Sequence, residues 1–144
     1  MGRARARRGP GRLTLFLMLF GIAAAAMFPP ALLATMQDDD IGARSFFYAG
    51  TLGLIVVTLV ALARGRVRGQ REEMRQLLAL FSAFAILPLY LAVPFHDALR
   101  TTSFLNAYLD MVSAVTTTGI DLFDNPARLS PALHLWRAEV AWLG

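Results

Sequence analysis

The sequence predicts an all-α membrane protein that crosses the bilayer several times, and two observations carry that expectation. The chain is 56% hydrophobic and 17% charged, with a mean hydropathy of +0.52; a soluble domain is roughly 45–50% apolar and about 25% charged. Its charges are also segregated, leaving uncharged runs at residues 13–37, 45–63 and 76–95. Each is close to or above the ~20 apolar residues that carry a helix across a hydrocarbon core about 30 Å thick. A soluble fold would have to bury three such helices inside 15.8 kDa. With no cysteine, a disulfide scaffold and a thiolate zinc site are excluded, and the apolar content excludes a disordered chain.

The first element is an Arg-rich tail, residues 1–12, carrying Arg3, Arg5, Arg7, Arg8 and Arg12. The apolar run behind it continues through Met27, Pro29, Pro30 and Leu33. That is too long for a signal-peptide core of 7–15 residues, so an uncleaved span is expected. A second span completes the pair of accessory transmembrane helices within residues 13–63. Asp38, Asp39 and Asp40 between the two read as a solvated outer loop. Residues 64–75 form a second basic block with Arg64, Arg66, Arg68, Arg71 and Arg75. Arginine-rich short loops stay cytoplasmic. Both blocks therefore place the N-terminus in the cytoplasm, with the first span running outward, the second returning and the third running outward. The formal charge of +4 reports this topology, and no nucleic-acid partner is expected.

The third span opens residues 76–144, in which Pro88 and Pro94 are expected to kink the helix. A short apolar helix follows at residues 104–115. It cannot span by itself, which fits a re-entrant segment buried in protein. Residues 130–144 resume a helical pattern, with Ser130 as N-cap and Pro131 at the first helical position. The chain is expected to end inside that helix, as a fragment of a longer protein.

Between these helices lies Ser113-Ala114-Val115-Thr116-Thr117-Thr118-Gly119-Ile120-Asp121. β-branched threonines favour an extended backbone, and glycine admits backbone angles closed to other residues. An extended strand ending at Gly119 would present a row of carbonyl oxygens, the groups with which selectivity filters replace an ion's water shell. The helix at 104–115 would aim its partially negative C-terminal end at the same place, with Asp110 on it. Three threonines before a glycine also mark an ordinary strand end or loop. The position between an outward and a returning helix favours the filter.

Residues 72–144 resemble the first pore repeat of Trk-type potassium transporters, in the wider Trk/Ktr/HKT superfamily. Three stretches carry the resemblance. The first is Arg71-Glu72-Glu73, opening the third span. The second is Leu87-Pro88-Leu89-Tyr90-Leu91-Ala92-Val93-Pro94-Phe95. The third is Asp110-Met111-Val112-Ser113-Ala114-Val115-Thr116-Thr117-Thr118-Gly119, followed by Leu135-Trp136-Arg137 and Trp142-Leu143-Gly144. The family usually has glutamate at the place of Asp110, glycine at that of Ala114, and often glycine at that of Leu91.

The resemblance implies potassium uptake across the cell (inner) membrane, with four helix–filter–helix repeats in one full-length chain. Thr116, Thr117, Thr118 and Gly119 would hold dehydrated potassium in one quarter of the filter, supported by Asp110 and Ser113 on the pore helix. It also implies a homodimer and a cytosolic nucleotide-binding regulatory subunit. No cofactor is expected besides the transported potassium ion, and no enzymatic activity. A filter with a single glycine is expected to discriminate less against sodium than the potassium-channel loop. The alternatives are a small tetrameric cation channel and a membrane anchor or assembly protein without transport.

The remaining polar residues read as structural. His96 and His134 lack partners at metal-ligand spacing and are taken as interfacial or packing residues. Arg137 within a membrane helix calls for an acid, Glu139 or Asp110, or for a place at the outer interface. No phosphate-binding glycine loop, nucleophile elbow or zinc-binding His-Glu-x-x-His motif is present.

Overall fold

A computed structural model describes residues 12–63, 72–120 and 129–144. The basic blocks at 1–12 and 64–75 therefore fall largely outside the described residues. All regular structure among the described residues is helical, in the order α1 Arg12–Ala25, α2 Phe28–Met36, α3 Asp40–Ala63, α4 Glu72–Leu99, α5 Phe104–Val115 and α6 Pro131–Leu143.

The apolar run at 13–37 forms two helices. Pro29 and Pro30 lack the amide hydrogens that would continue the ladder back to the carbonyls of Ala25 and Ala26, and the chain turns at Ala26 and Met27 before α2 begins. The elbow is packed rather than loose, with Met27 fully buried in the core. Gly50 on α3 faces it: a Cβ there would stand 2.9 Å from the Ala24 carbonyl oxygen and 3.2 Å from the Met27 Cβ. The missing side chain lets α3 lie against the bend, as small residues do where membrane helices meet closely.

Asp38, Asp39 and Asp40 build the corner between α2 and α3, where Asp38 and Asp40 are exposed. Asp38 takes a left-handed φ of 56°. Its amide bonds the Thr35 carbonyl at 3.3 Å, and the Asp39 amide bonds the Ala34 carbonyl at 2.9 Å. This pair is the Schellman arrangement that closes a helix C-terminus. The Asp39 carboxylate then caps α3 by accepting from the Gly42 amide at 3.0 Å. Asp40 opens the first turn of α3, where negative charge is favoured by the helix dipole.

Residues Phe16–Met36 and Asp40–Ala63 are both long and apolar enough to cross a bilayer, with mean hydropathies of 2.1 and 2.2. Only 28% and 22% of these windows are covered by the rest of the protein. Leu52, Ile55, Val56, Leu59 and Leu62 stand exposed on α3, a surface compatible with lipid. α4 runs for 28 residues and contains both Pro88 and Pro94, about 42 Å of helix at the standard rise.

The core forms where these helices meet α5 and α6. Phe46, Met27, Leu91, Phe95, Met111, Leu133, Trp136 and Val140 are buried together. The Phe46 and Trp136 rings meet edge to face at 5.5 Å. The Trp136 indole N–H donates to the Leu91 carbonyl at 3.3 Å. α6 is thereby tied to the part of α4 between its two prolines.

Candidate functional site

The site is built on the C-terminal end of α5. Ser103 starts this helix as N-cap, accepting from the Asn106 amide at 3.3 Å. Ala107, Asp110, Met111 and Ser113 form its buried side, spaced as one face of a 3.6-residue helix. Asp110 is 1% exposed, and Arg137 from α6 brings Nη2 within 3.1 Å of its Oδ1. Of the two acids available to Arg137, it is Asp110 that it meets. A buried carboxylate and a guanidinium each compensate the other's loss of water, so the ion pair fixes α5 and α6 in one register.

At the end of α5 the backbone departs from the extended strand expected at Thr116–Gly119. Thr116 has φ −86° and ψ 0°, Thr117 has φ 52° and Gly119 has φ 70°. The Thr117 amide bonds the Ala114 carbonyl at 3.1 Å and the Thr118 amide bonds the Ser113 carbonyl at 3.0 Å. This is again a Schellman closure, and it outweighs the strand preference of three threonines. Thr117 occupies the left-handed position, an outlier for a β-branched residue.

One further bond extends the closure. The Ser113 hydroxyl, in a side chain that is buried, accepts from the Ile120 amide at 2.8 Å. The corner at Asp38 has the backbone pair and no such side-chain extension.

These bonds orient the carbonyls. A trans peptide holds each C=O antiparallel to the N–H of the following residue. The amides of Thr117, Thr118 and Ile120 all point back to the end of α5. The carbonyls of Thr116, Thr117 and Gly119 must therefore point away from it. An ordinary strand would alternate its carbonyls between two sides; this segment turns three of them outward from one helix end, where the helix dipole adds negative potential. Residues 116–120 are all exposed.

The threonine hydroxyls follow the same logic. Thr116 Oγ1 lies 2.7 Å from the Val112 carbonyl oxygen. A carbonyl has no proton to give, so Thr116 donates. Thr116 Oγ1 also lies 2.7 Å from Thr118 Oγ1, and with the Thr116 proton already committed, Thr118 is the donor there. Both protons are directed toward the helix, and the Thr118 oxygen is left with its lone pairs.

The other polar candidates stand apart from this site. His96 Nδ1 is 3.7 Å from Asp97 Oδ1, and its ring meets Phe104 edge-on at 5.6 Å. No group of three or more metal-ligating side chains occurs among the described residues. Ser130 is the N-cap of α6 by backbone conformation, but its hydroxyl makes no cap hydrogen bond. Sequence reasoning did not find the Ser113–Ile120 tie, because a seven-residue contact across a reversing chain leaves no periodic signal. Nor did it find Thr117 at positive φ, a place where composition argues for glycine or asparagine.

No protein-family model matches the chain, and no solved structure matches it. A stretch of 63 residues is 43% identical to the Trk system potassium uptake protein TrkI of Halomonas elongata. The match takes in 44% of this chain and 12% of the length of that protein. The similarity is thus to a member of the family that the pore-repeat motifs resemble.

Proposed function

We propose that this chain takes part in potassium uptake, with Thr116, Thr117, Thr118 and Gly119 forming one quarter of a carbonyl-lined selectivity filter. The observation that carries the reading is that the Thr117, Thr118 and Ile120 amides bond back to the end of α5, which by peptide planarity turns the Thr116, Thr117 and Gly119 carbonyls away from it. Outward carbonyls on a helix C-terminus suit a cation that has shed its water. The partial identity to a potassium uptake protein supports potassium as the cation. Three further segments of the same kind would complete the ring, from the full-length protein. Asp110 and Ser113 support the segment from within α5. The homodimer, the nucleotide-binding regulatory subunit and the inner-membrane topology with a cytoplasmic N-terminus belong to the same proposal.

The test is complementation. The complete gene, expressed in cells that lack their own potassium uptake, is expected to restore growth at low potassium. Gly119 supplies a clean control. A Cβ there meets nothing within 4 Å among the described residues, while φ is 70°, so the expected cost of Gly119→Ala is conformational, about 1–2 kcal/mol. It is expected to weaken rescue or its selectivity. Full rescue with unchanged rubidium uptake by Gly119→Arg would overturn the filter assignment.

A further inference from the structure

We infer that the Ser113 hydroxyl is the positioning residue that sets the direction of the Gly119 carbonyl, and through it the discrimination between potassium and sodium; this rests on the filter reading above.

Ser113 holds the segment on both sides of Gly119. Its carbonyl oxygen takes the Thr118 amide at 3.0 Å, and its hydroxyl oxygen takes the Ile120 amide at 2.8 Å. The two bonds flank Gly119, the residue with the fewest steric limits on rotation. Among the described residues nothing lies within 4 Å of the position a Gly119 Cβ would occupy, so none of them restrains that residue from that side. Thr116 and Thr117 precede peptides fixed by backbone bonds to the last turn of α5. The Gly119–Ile120 peptide is held to the helix by a side chain instead.

The consequence follows from peptide planarity. With the Ile120 N–H on Ser113, the Gly119 C=O must face away from the helix end. Without the hydroxyl, that peptide is free to rotate about the flexible glycine, and its carbonyl is no longer committed to one direction. The Ser113 backbone bond to Thr118 survives any substitution that keeps the helix. The side-chain effect is therefore separable from the fold of α5. A potassium ion and a sodium ion differ in the oxygen cage they require, so a carbonyl of variable direction lowers discrimination before it lowers throughput.

The experiment uses the full-length protein in cells without endogenous potassium uptake, with rubidium influx measured in competition with potassium and with sodium. Membrane protein level is read in parallel. Ser113→Ala is expected to reach the membrane and carry rubidium, with potassium-over-sodium discrimination reduced about fivefold, the equivalent of one hydrogen bond. Ser113→Thr, which retains the hydroxyl, is expected to recover most of the discrimination. Ser113→Cys, with a weaker acceptor, is expected to resemble Ser113→Ala, and it takes the place of the alanine variant if that one fails to accumulate. Normal influx with unchanged discrimination in Ser113→Ala or Ser113→Cys overturns the positioning role and leaves the filter reading standing. Loss of both variants from the membrane overturns it in favour of a purely structural role. A wild-type protein that moves no rubidium overturns the filter reading, and this inference with it.

Discussion

Arg137 reaches from α6 to the buried Asp110 of α5, Nη2 to Oδ1 at 3.1 Å. The pair joins the helix that carries the candidate filter to the helix that follows it. Removing one member leaves the other charge in a site built for two, at a cost of roughly 3–5 kcal/mol. Asp110→Asn and Arg137→Gln are each expected to lower the thermal stability of the detergent-solubilised protein and its level in the membrane. The double variant is expected to be less impaired than the sum of the two. Strict additivity would show that the charges do not interact.

On the other side of α4, the Tyr90 hydroxyl donates to the Ala49 carbonyl of α3 at 2.7 Å. The Phe20 ring of α1 stacks on Tyr90 with centroids 4.4 Å apart. Three helices thus converge on one phenol. Gly53 makes this possible, since a Cβ at that position would collide with the Tyr90 hydroxyl and would come within 2.9 Å of the Ala24 Cβ. Gly53→Ala is expected to destabilise the protein by about 2 kcal/mol, the lost interhelical bond adding to overpacking. Tyr90→Phe should cost roughly 0.6–1.5 kcal/mol. It should also soften the effect of Gly53→Ala by relieving part of the clash. Equal effects of Gly53→Ala in both backgrounds would assign its cost to the ring of residue 90 and to Ala24, and not to the hydroxyl.

The helical character of the chain was legible from hydropathy because 3.6-residue periodicity and charge segregation are local properties. Pro29 and Pro30 also stand openly in the sequence. Their consequence, two helices where the apolar run is continuous, depends on the ladder bonds they cannot make. The acidic triplet at Asp38 was read by charge, although its role is set by backbone angles and caps. At the candidate site, residue identity could point to carbonyl chemistry at Thr116–Gly119, but not to its geometry. Threonine propensity favours a strand there, whereas the bonds that Ser113 and Ala114 offer to Thr118 and Thr117 favour a helix cap. The bonds prevail, and no residue of the string records that.

Thr117 is where that conflict is stored. Its φ of 52° puts a β-branched side chain in a region that costs an ordinary L-residue about 1–2 kcal/mol. Asparagine tolerates the left-handed conformation and does not add glycine's entropy to the unfolded chain. Thr117→Asn is therefore expected to raise stability by roughly 1 kcal/mol in thermal unfolding of the solubilised protein. Thr117→Val keeps the branching and should give no such gain. Thr117→Gly also removes the strain, but it frees the neighbouring peptides, so its gain should be smaller and its discrimination between potassium and sodium poorer than that of Thr117→Asn. The contrast separates two meanings of the strained angle. If Thr117→Asn stabilises while selectivity holds, the threonine is tolerated for its packing or its hydroxyl. If selectivity falls with the same gain in stability, the strain itself holds the carbonyl of Thr117 in place. A fall in stability for both Thr117→Asn and Thr117→Gly would show that no strain is stored at this position.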